Sequence, residues 1–148
     1  GNRMDELRKS AEGVSNVTFA GFAPESELER RLGACDLQLV SLRPGWAGTV
    51  VPSKFFGALA AGRGVVYAGP PDSAIARWIE EFRVGWVLTP TTIPTIAAEL
   101  RRLAASPTEL AALNARCHAV YHDHFSKARQ IARWDAELRR LVGLPSSA

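Results

Sequence analysis

This 148-residue chain has one methionine, two cysteines and two tyrosines. Cys35 and Cys117 lie far apart, in apolar or helical surroundings and without C-x-x-C spacing. That excludes a disulfide framework and a vicinal redox pair, and it predicts two reduced thiols in a cytoplasmic protein. No apolar run approaches the roughly 20 residues that span a bilayer, and no secretory leader is visible. G-x-S-x-G, Walker A, G-x-G-x-x-G and H-E-x-x-H patterns are all missing, so hydrolase, NTPase, dehydrogenase and zinc-protease readings have no support.

Charge is also sparse in any concentrated form. The net charge of +3 comes from 18 Lys and Arg against 15 Asp and Glu, mixed along helices as in Glu25–Arg31. No basic block alternates with aromatics, which argues against nucleic acid as a partner. The mild positive balance is compatible with anionic ligands or acidic lipid headgroups. His118 and His122 have the i,i+4 spacing that can hold a metal. They stand at the end of a polar helix and outside any metalloenzyme motif, so no metal or other cofactor is expected.

What is present is an alternation of short β-rich runs and amphipathic segments. A helix is predicted over residues 4–11, followed by strands at Val17–Ala20, Leu37–Leu42, Val65–Ala68 and Gly85–Leu88. Leu28 and Leu32 mark a helix over Ser26–Gly33. Pro52 opens another that stops at Gly62. Asp72 or Ser73 caps a helix carrying Ile75, Trp78, Ile79 and Phe82; the Gly69–Asp72 loop also opens at the C-terminal edge of the strands, with capping the role expected of Asp72. Three helices follow, near 93–105, 107–121 and 126–142, the second started by Ser106, Pro107 and Glu109. Strand–helix alternation predicts an α/β fold with a parallel sheet and right-handed crossovers. Residues 1–144 read as one domain and 145–148 as a flexible tail.

The segment Pro52-Ser53-Lys54-Phe55-Phe56-Gly57-Ala58-Leu59-Ala60-Ala61-Gly62-Arg63-Gly64-Val65-Val66 resembles a motif of retaining GT-B glycosyltransferases, the glycosyl transferases group 1 family. Asn16–Phe22 is similar to that family's V-x-F-x-G run and Glu25–Asp36 to its E-L…A-D helix. The resemblance covers nearly the whole chain. It implies a Rossmann-like three-layer domain, the C-terminal, donor-binding half of a GT-B fold. It also implies that one opening strand and a whole N-terminal, acceptor-binding domain lie upstream of Gly1. The implied partners are a nucleotide-diphosphate sugar and that N-terminal domain. Peripheral membrane association of the full-length protein is compatible with this picture.

The loop from Arg43 to Val51 runs from a strand end into a helix, the place where open α/β sheets bind ligands. Backbone N–H groups there suit a diphosphate, and Lys54 suits its charge. The expected donor-binding residues are Gly45, Trp46, Gly48, Thr49, Val50, Ser53, Lys54 and Gly57. The resemblance adds Phe22, Ala23 and Pro24 as a loop bordering the nucleobase. Two departures stand out. The family's paired Glu residues fall on Thr49 and Gly57, so neither carboxylate exists here. Three readings therefore stay open: a glycosyltransferase donor domain inactive when alone, a non-catalytic homologue acting as a binding module, and a nucleotide-sugar epimerase-like domain.

Overall fold

The computed structural model describes residues 4–22 and 24–144. Its centre is a three-stranded parallel sheet in the order β1 (Leu37–Ser41), β2 (Gly64–Ala68), β3 (Gly85–Leu88). Leu37 pairs with Gly64 and Ser41 with Ala68, while Val65 pairs with Gly85 and Ala68 with Leu88. All three strands thus end at the same edge. Between them run α3 (Lys54–Ala60) and α4 (Ala74–Phe82), the crossovers that a parallel sheet requires. The α/β, Rossmann-like expectation holds in this respect.

β2 shows why the order is stable. Gly64, Val65, Val66 and Tyr67 are all buried, as befits a central strand covered on both faces. Phe55 and Leu59 of α3 and Ile75 and Ile79 of α4 complete the core with it. The last two recur at i,i+4 on one face of α4. Gly85 sits so close to β2 that a Cβ there would collide with the Val65 carbonyl. The remaining elements are α1 (Met4–Ser10), α2 (Leu28–Gly33), α5 (Ile93–Ala104), α6 (Pro107–Val120) and α7 (Lys127–Leu141). Short 3-10 turns occupy Glu25–Glu27 and Pro44–Trp46. A π-helical turn, Tyr121–Phe125, joins α6 to α7. It inserts Phe125 between α3 and α4, with ring centroids 5.0 Å from Trp78 and 5.9 Å from Phe55.

Three expectations change. Val17–Ala20 is not a strand. Its composition is β-rich, but a strand exists only through a neighbour's hydrogen bonds, and this run pairs with none of the described strands. Instead Phe19 lies 5.0 Å beneath the Arg8 guanidinium, and Arg31 Nη1 donates to Gly21 O at 2.9 Å. Ser73, not Asp72, caps α4, its Oγ accepting from Ala76 N at 3.3 Å. Ser106 makes no side-chain cap bond to α6, and Glu109 pairs with Arg102 instead of reaching back. No described helix is long and apolar enough to cross a membrane. α7 carries an apolar stripe of Ile131, Trp134, Leu138 and Leu141, all more than half exposed.

Candidate functional site

The strand ends open onto a cleft of about 400 Å³. One wall is the loop after β1, at Ala47–Val51. The other is the start of α4, from Asp72 to Ile75 with Arg77 behind it, and Leu42 forms the floor. Each wall has a local cause. Gly48 adopts φ +77°, a left-handed conformation that a side chain would strain, and this reverses the loop. On the other side Ser73 is 5 % exposed, and its hydroxyl donates to the buried Tyr67 hydroxyl at 2.9 Å. The α4 cap is thereby tied to the central strand.

Electrostatically the α4 wall favours an anion. The first-turn N–H groups of Ala74 and Ile75 have no intrahelical acceptor, and the helix dipole adds to them. Arg77 supplies a full positive charge, while Asp72 offers an exposed carboxylate. Thr49 contributes a hydroxyl across the cleft.

The loop wall is less available than its position suggests. Trp46 N donates to Arg43 O at 3.0 Å and Ala47 N to Pro44 O at 3.3 Å. Thr49 N and Val50 N both donate to Trp46 O at 3.2 Å. Four N–H groups that sequence reasoning offers to a phosphate are therefore committed inside the loop.

Of the residues named from sequence, the cleft gathers Gly48, Thr49 and Val50. Gly45 and Trp46 belong to the preceding 3-10 turn, with Trp46 53 % exposed. Ser53 and Lys54 are exposed at the start of α3 and do not line the cleft. That helix begins two residues later than Pro52 suggests. Gly57 faces α2, where a Cβ would rest 3.6 Å from Leu32 Cδ1. Phe22 is 95 % exposed, neither it nor Pro24 lines the cleft, and Ala23 lies outside the described residues. Sequence reasoning missed Arg77 as a wall residue and assigned Asp72 to capping. The signal was their position after β2, the next strand to end at the same edge. Among the described residues no three His, Cys, Asp or Glu side chains gather to enclose a metal.

A second hollow of about 590 Å³ lies beside β3, between α4, α5 and α6. Its Arg102 is engaged by Glu99 and Glu109, and Arg116 donates to the backbone Arg83 O at 3.0 Å. It is also set along the side of the sheet, away from the strand ends.

Comparison with known proteins bears on this geometry. The chain is 26% identical over 144 residues, 96% of its length, to a protein of Pseudomonas aeruginosa described as "Probable glycosyltransferase WbjE". It spans 36% of that relative. No family model matches the chain, and no solved structure matches it.

Proposed function

We propose that this chain is the donor-binding part of a glycosyltransferase, holding a nucleotide-diphosphate sugar for transfer to an acceptor presented by another domain. The observation that carries the reading is the strand-edge cleft, with the α4 start and its two remaining first-turn N–H groups, Arg77 and the Gly48 turn converging on it. Open α/β sheets bind ligands at this edge. In this reading the diphosphate takes the N–H groups of Ala74 and Ile75, and Arg77 balances its charge. Asp72 and Thr49 are placed to accept and donate hydrogen bonds with sugar hydroxyls. A leaving diphosphate gains negative charge as the glycosidic bond breaks, so a fixed dipole and guanidinium stabilise departure more than binding. Transfer with retention follows from the family resemblance, as does the acceptor-holding domain. The similarity to a probable glycosyltransferase supports the general activity.

One observation favours the binding-module reading as runner-up. The cleft wall contributed by the loop has no carboxylate, and Asp72 is the single acidic lining residue. A protein that binds donor without transferring sugar fits that equally.

Amide-shift titration with uridine, guanosine and thymidine diphosphates tests the proposal. Shifts should concentrate at Gly48–Val51 and Asp72–Arg77. Shifts confined to the hollow beside β3, or no saturable binding of any nucleotide diphosphate, would sink it. Binding without transfer in the complete enzyme would select the runner-up.

A further inference from the structure

We infer that His118 and His122 form an exposed two-nitrogen chelate for a borderline divalent transition-metal ion, of the zinc, nickel or copper kind. Neither residue belongs to the cleft, and their separation is what changes the reading of the sequence motif. Nε2 of His118 lies 3.2 Å from Nε2 of His122, with ring planes 63° apart. With metal–imidazole bonds of ~2.0–2.1 Å, that separation sets an N–metal–N angle of roughly 100°. This falls between octahedral and tetrahedral values, so the two nitrogens are spaced to bind one ion once the hydrogen bond between them is given up. Both rings then carry their proton on Nδ1.

The backbone holds the pair in place. His118 lies in the last turn of α6 and His122 in the π-helical turn, a local departure that is frequent at functional sites. The turn's carbonyls are tied to α7. His122 O accepts from Ser126 Oγ at 2.9 Å, and Asp123 O from Arg129 Nε at 3.0 Å. Phe125 anchors the same turn in the core. The chelating arms are thus preorganised, and both rings are solvent-exposed, leaving the other coordination positions to water.

The donor set selects the ion class. Two neutral imidazoles and no carboxylate favour copper, nickel and zinc over magnesium and calcium. Neighbouring groups do not compete. The Cys117 thiol is buried on the opposite side and donates to Val84 O at 3.7 Å. His124, the remaining histidine, packs against Phe82 with centroids 4.5 Å apart. A bound ion would bridge α6 to the π-helical turn and pin the junction from which α7 departs.

The test uses the protein without an affinity tag, titrated calorimetrically with nickel, zinc or copper ions alone, in a Cys35→Ser background. One ion per chain should bind, and magnesium should not. His118→Ala and His122→Ala should each weaken binding at least tenfold, because one imidazole replaces a chelate, while His124→Ala should leave it unchanged. The copper form should show two equivalent nitrogens by electron paramagnetic resonance. All three histidines are exposed, so circular dichroism should show folded variants. Equal affinity in His122→Ala and parent, or no saturable stoichiometric binding, would reduce the pair to a plain N–H···N hydrogen bond and overturn the inference.

Discussion

The bond between Ser73 Oγ and Tyr67 OH offers the sharpest test of how the fold builds the cleft. Both groups are buried, and Ser73 also accepts from Ala76 N. Tyr67→Phe removes one hydrogen bond and leaves the Ser73 hydroxyl proton without its acceptor, a cost of about 1–3 kcal/mol. Ser73→Ala loses the helix cap, about 1 kcal/mol. It also orphans the Tyr67 hydroxyl in the core, roughly another 1–3 kcal/mol. The double variant orphans neither hydroxyl, so its cost should fall below that of Ser73→Ala, toward the about 1 kcal/mol of the lost cap. A coupling of at least about 2 kcal/mol is expected, against the ~0.3–0.5 kcal/mol scatter of independent sites. Urea unfolding of the four proteins, with unchanged m-values, measures it. Additive costs would mean that cap and strand are not joined through this bond. Nucleotide affinity in the same four proteins should fall with the Ser73 variants, since the α4 start then loses its fixed orientation.

Other expectations follow from single sites. Gly57→Ala should stabilise by roughly 0.5–1 kcal/mol, because the helical position has room beside Leu32; urea midpoints decide. Gly85→Ala should destabilise by at least about 3 kcal/mol, since the added methyl meets the rigid Val65 backbone where overpacking is hardest to relieve; a midpoint shift of less than a third of that would contradict the close approach. Burial pushes the Cys117 thiol up to about 11 from 9.0. The folded state therefore favours the thiol, and its contribution is complete below pH 9. As pH rises from there toward 11, the unfolded chain ionises first and stability falls by about 1.4 kcal/mol per unit. Cys117→Ser should lack that decline. Arg77→Ala should weaken nucleotide diphosphate binding more than Lys54→Ala, by about tenfold for a charge-assisted contact, and calorimetry compares them.

Much of the sheet was legible because its residues answer to local rules. The continuous apolar run at Val65–Tyr67 could only be a doubly covered strand, and Ile75 with Ile79 gave α4 its buried face. Gly62, at φ +64°, ended α3 as its sequence position implied. Val17–Ala20 misled because β propensity describes a side chain's fit to a pleated surface and says nothing of whether a partner strand is there. The site was half legible for a similar reason. Gly48, Thr49 and Val50 lie on one continuous loop, but the facing wall follows the next strand and begins at Asp72, 23 positions after Thr49. Nor does composition show that Trp46 O gathers the loop's own N–H groups, which moves the anion-binding capacity to α4. The histidine pair was visible as a spacing, but the 3.2 Å separation depends on the π-helical turn, which no periodicity announces.

The exposed stripe on α7 has a consequence for self-association. Ile131, Trp134, Leu138 and Leu141 present a continuous greasy ridge, while Arg140 is engaged with Glu137 on the flank. Self-association through such a ridge is entropy-driven near room temperature. It should therefore weaken on cooling and strengthen in sulfate or phosphate, the reverse of what charge-mediated clumping does as salt is raised. If the ridge drives association, light scattering should rise on warming and on adding sulfate, and fall in cold, low-sulfate buffer.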